Sequence, residues 1–103
     1  MEIILKTTDK GYSITQDNNQ YFLNLGQIKK GEKQEAIIRF SDVNAKTFLL
    51  ESTCGCTTTD KKIISPKEVE YKVSYNGNTS LPKTLVIVNN NKHIELKLNG
   101  NRV

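Results

Sequence analysis

The residues of this chain whose types could do chemistry are two cysteines, one histidine and a set of carboxylates. Cys54 and Cys56 flank Gly55, and the single histidine is His93. A structural zinc site needs about four ligands, so these three side chains fall short unless a dimer pools its cysteines. A Cys–His nucleophile pair needs the two groups in contact, and no spacing brings His93 to either cysteine. We expect neither a metal site nor a cysteine nucleophile.

The carboxylates show no paired motif that would indicate acid–base catalysis. The chain also lacks a glycine-rich phosphate loop, a nucleophile elbow and a His-Glu-x-x-His helix. The sequence therefore predicts a protein that is not an enzyme and carries no cofactor. The carboxylates considered were Asp42, Glu51, Asp60, Glu68 and Glu70.

The spacing of the two cysteines leaves a disulfide and a reduced pair open. On an extended strand, residues i and i+2 lie roughly 6.6 Å apart, close to the upper limit for a disulfide. A bridge between Cys54 and Cys56 would therefore require Gly55 to bend the chain. The favoured interpretation is two small, buried, reduced thiols beside a glycine that permits a bulge, because cytosolic thiols stay reduced.

Composition predicts one soluble globular domain. The chain has 103 residues, 36% of them hydrophobic, with a net charge of +4. Its lysines are scattered, whereas a nucleic-acid reader would cluster them beside stacking aromatics, so we do not expect a nucleic-acid partner. The start Met1-Glu-Ile-Ile-Leu-Lys has no signal-peptide pattern, and no apolar run reaches the ~20 residues of a membrane span. We expect synthesis and retention in the cytosol.

Period-two alternation recurs along the chain, and no window shows a helical stripe. In Glu68 to Tyr75 the apolar residues alternate with charged ones, which is typical of a half-buried antiparallel strand. Leu85 to Val88 and His93 to Leu98 predict a hairpin whose turn is Asn89 to Lys92. With Glu35 to Phe40 and Lys46 to Glu51, about seven to nine strands are predicted. This pattern indicates an all-β, immunoglobulin-like antiparallel sandwich.

The first twenty residues predict one more hairpin. Glu2 to Thr8 would pair with Tyr12 to Thr15 across Asp9-Lys10-Gly11. So short a hairpin is barely stable alone, and we interpret it as an N-terminal β-arm. The predicted organisation is therefore an arm at 1–20 and a sandwich domain at 21–103.

A segment around the cysteines, Cys54-Gly55-Cys56-Thr57, resembles the hallmark of a bacterial immunoglobulin-like family of unknown function. That family is related to the Hydin-type and major-sperm-protein-type domains. Three further segments are similar to the family's opening turn, a middle strand and its final strand, and they occur in the family's order. They are Leu25 to Glu32, Ile64 to Pro66 and Leu96 to Val103.

The resemblance spans roughly Tyr21 to Val103 and implies the sandwich fold without implying a function. Lys67 stands where the family has glycine after the proline, and the secretion signal common in such proteins is missing. We expect a structural protein that makes protein–protein contacts, most simply an accessory (auxiliary or decoration) subunit of a larger assembly such as a bacteriophage capsid, located in the virion. The alternative is a bacterial periplasmic or surface binding module whose signal peptide has been removed.

Binding is expected to use sheet edges and loops, with a protein as the partner and neither a small-molecule substrate nor a membrane. The arm, the Asn-rich turn and the C-terminal tail carry the candidates. The candidate interaction residues are Ile3, Leu5, Tyr12, Asn90, Asn91 and Arg102.

Overall fold

The computed structural model describes residues 1–103 and contains nine strands and no helix. Alternating apolar side chains and the turn-forming Asn and Gly residues between them account for the many short strands. The strands are β1 (Glu2–Leu5), β2 (Ser13–Asp17), β3 (Gln20–Ile28), β4 (Gln34–Ser41), β5 (Leu49–Ser52), β6 (Thr57–Ser65), β7 (Glu68–Tyr75), β8 (Lys83–Asn89) and β9 (Lys92–Arg102).

The strands form two sheets, of four and five strands, packed as a sandwich. The four-stranded sheet has the order β1-β4-β7-β6, and the five-stranded sheet has the order β2-β3-β9-β8-β5. In chain order, β4 to β9 occupy the B to G positions of an immunoglobulin sandwich, with β1 in the A position. The predicted all-β, immunoglobulin-like sandwich of seven to nine strands is confirmed.

One pair of strands is parallel, a detail that the predicted antiparallel sandwich did not include. Strand β3 runs parallel to β9, with Leu23 opposite Leu98. The register shifts between Asn24 and Gln27, where Gly26 adopts a positive φ of 70°. This pair links residues far apart in the chain, and no local sequence pattern predicts it.

The predicted hairpin between Glu2–Thr8 and Tyr12–Thr15 is absent. Strand β1 pairs with β4, placing Ile3 opposite Phe40, whereas β2 pairs with β3. The two strands are therefore edge strands of different sheets, and the residues between them cross from one sheet to the other. Burial of Ile3, Leu5 and Ile14 against the core explains why each strand joins the sandwich instead of its neighbour.

The core lies between the sheets and is built from the inward side chains of the long strands other than β6. Val69, Tyr71, Val73 and Tyr75 of β7 are all buried, as their alternation predicts. Aromatic rings mark the centre: the rings of Phe40 and Phe48 lie 4.7 Å apart, and each lies 6.2 Å from the ring of Tyr71. Such tilted and edge-on aromatic pairs add stability beyond area burial.

Candidate interaction surfaces

The Cys-Gly-Cys-Thr segment forms the crossover between the two sheets. Cys54 and Cys56 lie in the turn between β5 and β6, and they are joined by a disulfide. Their Cα atoms are 5.3 Å apart, closer than an extended strand allows, because the chain turns at Gly55. The favoured interpretation of two reduced thiols on a strand is therefore wrong.

Two hydrogen bonds to one backbone carbonyl hold this turn. Ser52 Oγ donates to the Cys54 carbonyl at 2.7 Å, and the Thr57 N–H donates to the same carbonyl at 3.3 Å. Cys56 and Thr57 are buried, with Cys56 Sγ 3.5 Å from Thr57 Oγ1, whereas Cys54 is half-buried. The segment has a structural position in the fold, with one sulfur facing the interior and one nearer the surface.

The predicted interaction residues lie in different environments. Ile3 and Leu5 point inward from β1 and pack against the core, half-buried, so they form part of the sandwich in this structure. Arg102 is half-buried near the end of β9, and its Nε is buried without a hydrogen-bond partner. Asn90 and Asn91 are exposed at the tip of the β8–β9 hairpin, both with positive φ. Their position matches the prediction for an exposed Asn-rich turn.

Tyr12 is buried, with only 9% of its surface exposed, and its hydroxyl donates to Gln34 Oε1. Gln34 in turn donates from Nε2 to Glu32 Oε1 at 3.2 Å. Burial, with nearby Glu32, Asp9 and Glu35, raises the pKa of Tyr12 above its ordinary value. In this structure Tyr12 closes one end of the sandwich and offers little surface for binding.

An apolar strip that the sequence analysis missed lies on the outer face of the five-stranded sheet. It consists of Leu49, Val86 and Val88. Leu49 lies directly opposite Val88, and Val86 lies opposite Glu51 on one side and Glu95 on the other. Leu49 is 41% exposed, and the two valines are half-buried. The alternation of β8 could have revealed it, because both faces of Leu85 to Val88 carry apolar residues.

Polar groups surround the apolar strip. His93 lies opposite Val88, and the exposed Asn90 and Asn91 follow at the adjoining hairpin tip. Glu51 and Glu95 form no salt bridge with any residue of the chain. The strip therefore has unpaired carboxylates beside it and amide groups at one end.

The outer face of the four-stranded sheet carries many charged residues, and four of them form two ion pairs. Arg39 donates to Glu70 at 2.8 Å, and Lys72 lies 3.2 Å from Glu35. The hydrogen bond from Lys72, followed by that from Ser74, lowers the pKa of the exposed Glu35. Across the same face, Lys72 lies opposite Asp60 of β6.

No group of three or more histidine, cysteine, aspartate or glutamate side chains is arranged to hold a metal ion. The chain also contains no helix with the length and hydropathy of a membrane span. The largest surface cleft, of about 530 Å³, is open and lies between the β2–β3 turn and the start of β9, with Tyr21 and His93 in its wall.

Comparison with known proteins gives a similarity to a solved structure. No family model matches the chain, and no curated protein matches it. Among solved structures, it is similar to domains 4 and 5 of the S-layer protein SbsC, with 16% sequence identity and a TM-score of 0.44. The similarity covers 97% of this chain, which spans about half (54%) of that protein chain. The resemblance to the Cys-Gly-Cys-Thr family stays a prediction.

Proposed function

We infer that this chain is a non-enzymatic structural module that docks onto a protein assembly through the outer face of its five-stranded sheet. The observation that carries this inference is the apolar strip of Leu49, Val86 and Val88, held in fixed register on two paired strands. Single exposed apolar residues are normal on protein surfaces. Three neighbours on one rigid face form the apolar centre that a protein interface needs.

The polar surroundings of the apolar strip define the partner's chemistry. Glu51 and Glu95 flank Val86 and are unpaired, so a partner with Lys or Arg beside an apolar surface would complement them. Asn90 and Asn91 offer amide donors and acceptors at the rim. An apolar centre with a hydrogen-bonding rim is the usual anatomy of a protein–protein interface.

The assembly proposed is a bacteriophage particle, in which the chain would serve as an accessory capsid subunit. The second candidate is a bacterial periplasmic or surface binding module. The Cys54–Cys56 disulfide favours this second location, because disulfides persist mainly in oxidising compartments. The apolar strip would serve docking in either location.

A matched pair of variants tests the docking face. Leu49→Lys places a charge in the apolar strip, and Ile4→Lys makes the same kind of change at a residue of similar exposure, 44%, on the opposite sheet. Tagged chains would be recovered from the native source, and the partner would be quantified by mass spectrometry. We expect Leu49→Lys to lose the partner and Ile4→Lys to retain it. Retention by both folded variants would contradict the proposed face.

The same preparation separates the two locations. Fractionation of the native source shows whether the chain occurs at fixed copy number in a large particle or in the cell envelope. The intact mass under non-reducing conditions shows whether the two cysteines are oxidised there. A particle-bound chain supports the accessory subunit, whereas an oxidised chain in the envelope supports the second candidate.

A further inference from the structure

Strand β6 presents the longest free edge of the sandwich. It has nine residues, against four in β1 and β5 and five in β2, the other three edge strands. The β5 edge is already occupied, because Thr59 Oγ1 donates to the Leu50 carbonyl at 2.9 Å and Lys61 Nζ donates to the Phe48 carbonyl at 2.6 Å. Long unpaired edges are the sites at which sheets recruit another strand.

The backbone groups on the free side of β6 can be assigned from one hydrogen bond. The Asn76 N–H donates to the Cys56 carbonyl at 2.9 Å. In an antiparallel ladder the residues that bond to the neighbour alternate with those that face away. The N–H and C=O groups of Thr59, Lys61 and Ile63 therefore point outward, and none of them takes part in the backbone bonds of the loops.

We propose that the occupant of this edge is β6 of a second copy of the chain, paired antiparallel about a two-fold axis through Lys61. In this register Asp60 lies opposite Lys62 of the second copy, and the symmetry forms this pair twice. Sliding the strands by two residues in one direction sets the two Asp60 side chains against each other. Sliding them in the other direction opposes the two Lys62 side chains. Like charges directly opposite are destabilising, so charge selects the first register.

The charge pattern already present inside each sheet supports this register. Within one chain Asp60 lies opposite Lys72, and Lys62 lies opposite Glu70, which accepts from Arg39. Pairing two β6 strands in the proposed register gives one row across both copies with strictly alternating sign. The row runs Lys72 and Asp60 of the first copy, then Lys62, Glu70 and Arg39 of the second.

Apolar side chains that are exposed in the single chain would gain partners. Ile63 is 54% exposed and Ile64 is 37% exposed at the end of β6. In the proposed register Ile63 lies opposite Thr59 of the second copy, and Ile64 lies opposite Thr58. Pairs of β-branched residues across strands are favourable contacts in sheets.

Lys61 lies on the proposed two-fold axis, but its charge does not disfavour the pairing. Its ammonium group is directed into its own sandwich, where it donates to the Phe48 carbonyl. The two ammonium groups are thus turned toward separate β5 strands.

Sedimentation velocity over a concentration series tests the proposal. The unaltered chain is expected to form a dimer whose population rises with concentration and falls with salt. Asp60→Lys should weaken the dimer by at least about tenfold, because two attractive pairs become repulsive. Asp17→Lys is the matched control, since it makes the same charge change on the edge strand of the other sheet and should leave the dimer intact. Circular dichroism confirms that each variant is folded.

Two further variants make the test specific to the register and to the backbone. Lys62→Asp should also weaken the homodimer, and an equimolar mixture of Asp60→Lys and Lys62→Asp chains should form a heterodimer, because each Lys then faces an Asp. Ile63→Pro removes an outward N–H and should abolish pairing while the sandwich stays folded. A monomeric unaltered chain, a dimer that survives Asp60→Lys, a dimer lost in Asp17→Lys or a mixture without heterodimer would overturn the proposal.

Discussion

At the scale of the residue, a polar side chain that the sequence places at the surface can be buried and make a hydrogen bond within the fold. Tyr12 was predicted to be an interaction residue because it lies in the predicted N-terminal arm. In the structure its ring is buried, and its hydroxyl satisfies the buried amide of Gln34. The partner lies 22 residues away. No local pattern could reveal this hydrogen bond, whereas the exposed turn at Asn90 and Asn91 follows from composition alone.

Removal of the Tyr12 hydroxyl should destabilise the fold. In Tyr12→Phe the Oε1 atom of Gln34 loses its donor within a buried site, which costs about 1–3 kcal/mol. Denaturant unfolding monitored by circular dichroism measures the free energy of unfolding. Tyr21→Phe is the control, because Tyr21 is half-buried and its hydroxyl makes no hydrogen bond in the chain. An equal effect of both substitutions would show that the Tyr12–Gln34 bond is not responsible.

Alkaline pH should destabilise the protein through its buried phenols. Burial raises the pKa of Tyr12 and Tyr71 above the ordinary value of 10.0, so the folded state holds these protons more tightly than the unfolded state does. Their contribution to stability is full below pH 10 and is lost as pH rises through the folded-state pKa values. A Tyr12→Phe/Tyr71→Phe variant should show a shallower decline above pH 10 in unfolding measured across a pH series. Identical declines would contradict this.

At the scale of the element, prediction succeeded where one face of a strand is apolar. Strand β7 was predicted with its observed bounds, and the β8–β9 hairpin was predicted with its turn near Asn90. Strand β6 went largely unpredicted, because its inward residues Thr59 and Lys61 are polar and bond to backbone carbonyls instead of entering the core. Strand β5 is shorter than predicted because the chain turns before it, with the Phe48 N–H donating to the Asn44 carbonyl at 2.9 Å.

The loops at one end of the sandwich are joined through Gly77, which should be intolerant of any side chain. Gly77 has a φ of 80°, its carbonyl accepts from the Gly31 N–H at 2.8 Å, and an added Cβ would lie 2.7 Å from the backbone nitrogen of Glu32. Gly77→Ala should therefore cost about 1–3 kcal/mol or more. Gly11 has a similar φ of 72° but open space around it. The Gly11→Ala substitution therefore measures the free-energy cost of the positive φ alone. Equal losses in thermal unfolding would show that crowding at Gly77 is unimportant.

At the scale of the whole molecule, the sequence correctly predicted the fold class, whereas pairings between distant segments had to come from the structure. Alternation reports which residues face a core, and it carries no information on which strands become neighbours. The first twenty residues illustrate this, since they provide an edge strand to each sheet. Whether a folded domain can begin at residue 21, as predicted, is open to direct test.

Deletion of residues 1–20 should destabilise the sandwich severely. The deletion removes β1 and β2 with the packed side chains of Ile3, Leu5 and Ile14 and the buried ring of Tyr12. Since a fully buried large apolar side chain contributes about 1.5–3 kcal/mol, the total loss is a large fraction of a small domain's stability. Calorimetry of the two chains measures it. A truncated chain with unchanged unfolding temperature would instead support the division at residue 20.

The position of β9 has a consequence for how the protein is made in the cell. This strand is the last of the nine to leave the ribosome, yet it lies at the centre of the five-stranded sheet, between β3 and β8. Until it emerges, the inner faces of β3 and β8 have no strand between them, and their apolar side chains stay open to solvent or to chaperones. Folding of this sheet during translation must therefore wait for nearly the whole domain. A premature stop codon within β9 would release a chain in which β3 and β8 each have a new unpaired edge. Such a chain would be prone to aggregation or degradation.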